Sequence, residues 1–339
     1  MQAVFVYGRA IKFMHNIAII GAMGAVGQEL LFLLEKKCFP VGQLRLFGSA
    51  RSKGKVVRFK GENISVKSIT RGSFRGVDIA FFCANEEISK QYVPQAVEEG
   101  ARVIDKSSFY RLERDVPLVI PEVNGEDIKE HHRVVASPNC MVTIGLMALG
   151  PLHKAFGLRR FWGSTYQSVS GSGIKGVEEL KAQTKAWMKG EALVPRVYEE
   201  PIAFNVIPQI GHISGGGCTQ EEEKIIEESK KILKLPNLIA NVTCVRVPVY
   251  RSHAISLDAE FERSFPLSEV YEALKVPGLS IFGNECATPI MASYQENCLV
   301  GRVRLNSFCD NALSLWACGD QLWKGAALNA LQIAQVWIG

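Results

Sequence analysis

The chain has 339 residues, 47% hydrophobic and 22% charged, with a formal net charge of +5 at pH 7. That length accommodates two domains with cores of their own, in a composition ordinary for a globular protein. The positive charge is scattered, which suits anionic small molecules and argues against nucleic acid, and no apolar run is long enough to span a membrane.

The nine cysteines include no C-x-x-C pair and no Cys/His cluster at zinc spacing. They fit a reducing cytoplasm, with most thiols acting as small core residues and no metal site. Residues 1–15 precede the first clear strand. Their apolar part is short and no small-residue cleavage site follows, so an upstream start with Met14 as the working initiator is expected, not a signal peptide.

The first strand is predicted over Asn16–Ile20, followed by Gly21-Ala22-Met23-Gly24-Ala25-Val26-Gly27 and a helix over Gln28–Lys36. A buried strand, a glycine-rich turn and a helix open a dinucleotide-binding βαβ unit. Gly21 permits the tight turn, Gly24 lets a pyrophosphate approach backbone N–H groups, and Gly27 lets helix pack on strand. Met23, Ala25 and Val26 share this cofactor turn. The second strand, Leu44–Phe47, is expected to end near the adenine ribose, where NAD-preferring folds often place a carboxylate. Here the chain reads Ser49-Ala50-Arg51-Ser52-Lys53-Gly54-Lys55, and Arg51 and Ser52 suit a 2′-phosphate. NADP(H) is therefore the expected cofactor.

Residues Lys55 to Ile69 read as short strands joined by a Gly61-Glu62-Asn63 turn. Next come a strand over Val77–Cys83, a helix over Glu86–Glu99 and a strand over Arg102–Ile104. This alternation predicts a parallel, doubly wound sheet. A strand over Arg133–Ala136 then gives way, through Ser137-Pro138-Asn139-Cys140, to a helix over Met141–Phe156. Pro138 and Asn139 are turn and cap residues. A thiol in the first helical turn sits near the positive end of the macrodipole, which favours thiolate. Alone, the segment reads slightly better as a buried structural cysteine.

Beyond Cys140, strands over Phe161–Val169 and Val242–Val249 mix with helices over Val177–Lys189 and Gln220–Leu233, predicting a mixed second domain. A final helix, Gln321–Trp337, is expected to return to the first. The predicted division is 16–139 with 318–339, and 140–317. In the second part, Gln167-Ser168-Val169-Ser170-Gly171-Ser172-Gly173 follows a strand and supplies a polar side chain and backbone donors. Thr219 and Glu222 form a capping box, with Glu221 and Lys224 beside it. Arg246, Arg251 and His253 combine two guanidiniums with an imidazole. Arg246 and His253 are an odd number of residues apart, so a continuous strand would separate them; a shared site requires a break, plausibly near Pro248.

Together these segments resemble aspartate-β-semialdehyde dehydrogenases, from about Asn16 to the C-terminus. The landmarks are the glycine turn, Ser49-Ala-Arg-Ser-Lys-Gly54, Val119-Ile-Pro-Glu-Val-Asn124, Ser137-Pro-Asn-Cys140 and Tyr166-Gln-Ser-Val-Ser-Gly171. Glu221/Lys224, Arg246…His253 and Lys324-Gly-Ala-Ala-Leu-Asn329 complete them. The resemblance implies a Rossmann-type parallel-sheet NADP-binding domain. It also implies an α+β catalytic and dimerisation domain of the glyceraldehyde-3-phosphate-dehydrogenase-like kind. It implies NADPH-dependent reduction of L-β-aspartyl phosphate to L-aspartate β-semialdehyde and phosphate, through a Cys140 thioester, in the aspartate pathway of amino-acid biosynthesis. By the same resemblance His253 is the acid/base imidazole and Gln167 the orienting group. Arg246 holds the α-carboxylate, Glu221 the α-amino group, and Arg111, Asn139 and Lys224 the phosphate. Asn85, Ser170 and Gly171 join Ser49, Arg51 and Ser52 on the cofactor. Homodimers that can pair into tetramers are implied.

The sequence departs from the family pattern at Lys106, commonly Asn, at Cys83-Ala84-Asn85, usually a small Ser-Ala-Gly run, and at Met141, frequently Thr. Two rivals stand beside this reading: an N-acetyl-γ-glutamyl-phosphate reductase, and a catalytically inactive homologue acting as a binding subunit. Glu221 favours a free α-amino group over the first. The presence of both Cys140 and His253 argues against the second.

Overall fold

The computed structural model describes residues 13–283, 285–307 and 309–339, and the backbone of Val4–Val6 and Arg9–Ile11. The chain divides into two compact units, Met1–Pro138 with Ala326–Gly339, and Asn139–Gly325.

In the first unit β1 (Val4–Val6) and β2 (Arg9–Ile11) pair as a short antiparallel ribbon. Of residues 1–15, which were expected to stand apart, 1–3, 7, 8 and 12 lie outside the described residues, and His15 belongs to the next strand. That strand, β3 (His15–Ile20), leads through the glycine turn into α1 (Ala25–Lys36) and β4 (Val41–Phe47). There follow β5 (Val56–Phe59), β6 (Glu62–Lys67), β7 (Ile79–Phe82), α2 (Glu86–Glu98), β8 (Arg102–Asp105), α3 (Pro121–Asn124) and β9 (Val134–Ala136).

These strands form one seven-stranded sheet in the order β5-β6-β4-β3-β7-β8-β9, parallel except for the β5–β6 hairpin. Ile17–Ile20 and Ile79–Phe82 are wholly buried, as strands covered on both faces must be. α1 starts at Ala25 instead of Gln28, because Gly24 is already its N-cap. The hairpin turns at Lys60-Gly61, both at positive φ, so Glu62 and Asn63 belong to β6 and not to the turn.

The second unit opens with α4 (Cys140–Phe156), a helix buried nearly all round, as its continuous apolar sequence requires. Then come β10 (Leu158–Gln167), α5 (Ile174–Met188), α6 (Gln220–Leu233), β11 (Ile239–Arg246) and β12 (His253–Phe261). α7 (Leu267–Ala273), β13 (Leu279–Ile281), α8 (Pro289–Ala292), β14 (Cys298–Leu305) and β15 (Ala312–Gly319) complete it. Its six-stranded sheet runs β11-β10-β12-β15-β14-β13 and mixes parallel and antiparallel pairs. α4 packs against β10, β12, β14 and β15, and α6 against β11 and α4.

The helix predicted over Gln321–Trp337 is shorter than its periodicity suggests. Asp320 accepts the N–H groups of Leu322 and Trp323, a π turn spans Trp323–Ala327, and α9 runs from Leu328 to Ile338. α9 lies against α1, α3 and β8 of the first unit. The chain leaves the second unit at Gly325 and not at 317, because Asp320 and Gln321 are bonded there to Arg251 and Ser252.

Candidate active site

The first unit holds a cleft of about 610 Å³ at the carboxyl ends of β3, β4, β6 and β7. The chain runs from β3 to β4 on one side and later places β7 on the other, so this is the topological switch point of the sheet. Gly21, Met23, Gly24, Ser49, Ser52 and Asn85 line the cleft. Gly21 has φ +81°, and a Cβ there would lie 2.4 Å from the Cys83 carbonyl oxygen. At Gly27 a Cβ would lie 2.8 Å from Ala22 Cα, so helix and strand meet only because it is glycine. The α1 N-terminus has no side-chain cap and no acidic residue in its first turn. Its N–H groups are thus left for an anion, and the cleft suits a dinucleotide pyrophosphate. No acidic side chain lines it, and Arg51 is exposed. Asn85 is occupied as the N-cap of α2, accepting from Ile88 N–H.

Residues Ser137-Pro138 end the first unit under several constraints. Lys106 Nζ donates to Pro138 O at 2.9 Å and to Ser137 Oγ at 3.2 Å. Arg111, 8% exposed, donates from Nε to Ser137 O and from Nη2 to Lys106 O. Asn329 Nδ2 donates to Ser137 Oγ and Val119 O. Both basic groups thus grip the segment that leads into the Cys140 helix, and sequence reading had no signal for that.

Cys140 is the first residue of α4 and half-buried. Asn139 caps the helix through Oδ1, accepting from Met141 N–H at 2.7 Å, and the first turn carries no acidic residue. The dipole therefore acts on the thiol unopposed from within its own turn. Three other thiols are held protonated by burial: Cys83 and Cys318, each pushed up to about 12, and Cys244, also shifted upward. Glu228, 1% exposed, accepts the Asn139 N–H at 2.7 Å. Glu221 Oε1 accepts from Asn139 Nδ2 at 2.9 Å and from Gln167 Nε2 at 3.4 Å. One hydrogen-bonded set thus joins Asn139, Gln167 and Glu221.

A second set begins one residue on. β11 ends at Arg246 and β12 begins at His253, so the strand breaks across 247–252 as a shared site requires. A Cβ on Gly171 would lie 2.8 Å from Arg246 Nη1 and 3.1 Å from His253 Nε2, so both side chains close on the same point. Arg246 is 5% exposed and donates from Nη1 to Ser168 O at 2.7 Å, with its guanidinium over the Tyr198 ring. No carboxylate lies within salt-bridge distance of Arg246 among the described residues. Burial and the Arg246 charge hold the His253 imidazole well below its usual range, against a smaller upward pull from Ser252, so it is neutral at pH 7. Gln167 and Arg246 are register partners, which places the two sets side by side at the ends of β10 and β11.

Arg251 belongs elsewhere. It bonds the buried Asp320 at 2.7 Å and lies over Tyr294. The capping box forms, with Thr219 and Glu222 bonded reciprocally, while Lys224 is half-buried and makes no ion pair with Glu221. Ser170, read for the cofactor, bonds to Ser168 and Gln321 in the His253 cluster. Among the described residues no group of three or more His, Cys, Asp or Glu is placed to hold a metal ion, and no helix is long and apolar enough to cross a membrane.

A switch-point cleft with a glycine turn, joined in one chain to a thiol at a helix N-terminus, defines a dinucleotide-dependent oxidoreductase of the semialdehyde dehydrogenase class. Residues 16–131 match the family described as semialdehyde dehydrogenase, NAD binding domain, and residues 149–324 its dimerisation domain. The aspartate-semialdehyde dehydrogenase of Aquifex aeolicus is 42% identical over 96% of this chain and 98% of its own. The crystal structure of aspartate semialdehyde dehydrogenase II from Vibrio cholerae superposes with a TM-score of 0.93 at 39% identity, over 95% of this chain and 98% of that one. The same enzyme has been solved complexed with ASA, at 38% identity and a TM-score of 0.93, over 96% of this chain and 98% of that one. The chain belongs to the aspartate-semialdehyde dehydrogenase family.

Proposed function

We propose that this chain reduces L-β-aspartyl phosphate to L-aspartate β-semialdehyde and phosphate with NADPH, and in reverse performs the phosphorylating oxidation. The observation that carries this reading is the buried Arg246 guanidinium without a carboxylate partner, closing with His253 on one point beside the Asn139–Gln167–Glu221 set. A buried cation is costly unless paired, and a substrate α-carboxylate supplies the missing charge as a bidentate partner.

Cys140 attacks the acyl carbon as thiolate. A C–S bond forms, the C–O bond to phosphate breaks, and phosphate leaves with the electron pair. Reduction of the thioester breaks the C–S bond and returns aldehyde and thiolate, dividing one difficult step into two. The nicotinamide, when bound, supplies the hydride. Gln167 orients the reacting group, Glu221 accepts from the α-amino group, and Arg111, Asn139 and Lys224 serve the phosphate. Ser49, Arg51 and Ser52, with no carboxylate near, support NADP(H). His253 is the acid/base group.

The reading makes the protein a cytoplasmic enzyme of amino-acid biosynthesis with small-molecule partners, and a homodimer that can pair into tetramers. The second-unit sheet supports the dimer, since it leaves Trp162 and Tyr166 exposed on one face, with Trp316 stacked 5.3 Å from Tyr166. A coupled assay with aspartate semialdehyde, phosphate and each nicotinamide cofactor tests the activity. Turnover with NADP and phosphate is expected; turnover of only the N-acetyl-glutamyl substrate would refute it.

A further inference from the structure

Beyond α5 the chain runs irregularly from 192 to 206 and then returns to Arg246. So long a loop needs partners for its backbone polar groups. Two buried side chains one turn apart on α5 supply them. Glu179, 6% exposed, accepts the N–H groups of Arg196 and Val197. Gln183, 2% exposed, accepts those of Ile202 and Ala203 at 2.8 and 3.0 Å and donates to Val194 O at 3.2 Å. Its Nε2 also donates to Glu179 Oε1 at 3.0 Å, which ties the two anchors together. The segment ends in an antiparallel bridge, where Ile207 and Arg246 exchange both backbone bonds at 2.8 and 2.9 Å.

Tyr198 lies between the two anchored stretches and packs on the apolar cluster of Val169, Leu180, Ile202 and Ala203. The Arg246 guanidinium carbon stands over its ring, 6.0 Å from the centroid. The Tyr198 hydroxyl donates to Val169 O at 3.4 Å, and burial pushes the phenol above its ordinary range, so it keeps that proton at neutral pH. A Cβ on Gly176 would lie 2.6 Å from this hydroxyl and 2.4 Å from Val169 O. The first turn of α5 thus closes on the ring's outer edge only because glycine stands there. Arg246 is held twice by one segment, at its backbone by Ile207 and at its side chain by Tyr198.

A carboxylate beside Arg246 would neutralise it and compete with the substrate. A further carbonyl would consume another N–H donor, as Ser168 O already does at Nη1. An aromatic face steadies a guanidinium through the ring quadrupole, while the donors lie in the guanidinium plane and stay available. We infer that Tyr198, locked on the 192–207 strap by Glu179 and Gln183, is a positioning residue that sets the grip of Arg246 on the substrate α-carboxylate. This rests on the proposed role of Arg246 in holding that carboxylate.

Steady-state kinetics of the full-length enzyme in the oxidative direction, with aspartate semialdehyde, phosphate and NADP each varied in turn, test it. Tyr198→Leu, which removes the aromatic face, is expected to raise KM for aspartate semialdehyde about 10-fold. The KM values for phosphate and NADP, and kcat, should stay within about 3-fold of wild type, as when uniform binding is lost. Tyr198→Phe keeps the face and should keep the wild-type KM. An unchanged KM for aspartate semialdehyde in Tyr198→Leu, or an equal rise for phosphate, overturns the inference, because a merely structural residue would disturb all three substrates alike. A loss in Tyr198→Phe equal to that in Tyr198→Leu overturns it too. A wild-type enzyme that turns over no aspartate semialdehyde refutes the substrate reading and the inference with it, whereas an active wild type with an unmoved variant refutes the inference alone. Should Tyr198→Leu not fold, replacing Tyr198 by 3,4,5-trifluorophenylalanine keeps the ring's shape and drains its face. The same selective rise in KM is then expected, and a KM equal to that of Tyr198→Phe contradicts it.

Discussion

Replacing Gly325 by alanine is expected to disable the thiol without removing any functional group. Gly325 lies in the π turn, and a Cβ on it would sit 2.9 Å from Cys140 Cβ, 3.2 Å from Cys140 Cα and 3.5 Å from its carbonyl oxygen. Its φ is not among the positive values, so alanine is admissible by backbone conformation and the conflict is purely one of space. Carbon atoms pack at about 3.5–4.0 Å, so turn and helix must separate by nearly 1 Å. The obstructing atoms are the first residue of α4, not the end of a flexible side chain. Overpacking of this kind costs about 1–3 kcal/mol in stability. A displacement near 1 Å of the reacting atom costs about 100-fold in rate. Steady-state kcat/KM, the rate of Cys140 alkylation by iodoacetamide and the thermal midpoint, measured together, check this. A Gly325→Ala enzyme with unchanged kcat/KM and alkylation rate would refute the packing reasoning.

Arg246→Met removes a buried cation that has no carboxylate partner, so the thermal midpoint should rise while kcat/KM falls at least about 100-fold; a lowered midpoint in calorimetry contradicts the unpaired charge. Gly21→Ala meets both a positive φ and the Cys83 carbonyl 2.4 Å away. NADP affinity measured by fluorescence titration should therefore fall, and wild-type affinity would remove the glycine turn from the cofactor site. Burial and the Arg246 charge hold the His253 imidazole below its ordinary value of 6.5, so the unfolded chain binds a proton that the folded chain excludes. Its contribution to stability is then complete above pH 6.5 and is lost as pH falls below it toward the folded value. Melting curves across that range should drop less steeply for His253→Gln than for wild type; parallel curves would contradict the burial of a neutral ring.

Much of the first unit was legible because parallel strands buried on both faces read as apolar runs, and the glycine turn marks where the first one ends. The cap at Asn139 and the capping box at Thr219 were equally local. The Arg246–His253 relation came from parity: an odd spacing with a proline inside demanded the break found across 247–252. What escaped was non-local. Gln321 reaches Ser170 across 151 positions, and no periodicity announces it. The charges of Lys106 and Arg111 are visible in sequence, while the Pro138, Ser137 and Lys106 carbonyls to which they donate are not. The last helix was overestimated because an apolar period does not distinguish a π turn from an α-helical one.

The central claim is covalent catalysis by Cys140. Intact-mass spectrometry after mixing the enzyme with L-β-aspartyl phosphate, without NADPH, tests it most directly. An aspartyl adduct should appear on the Cys140 peptide, disappear on adding NADPH, and be absent from Cys140→Ser, which should be inactive. Wild-type turnover by Cys140→Ser, or an adduct on another residue, would contradict it.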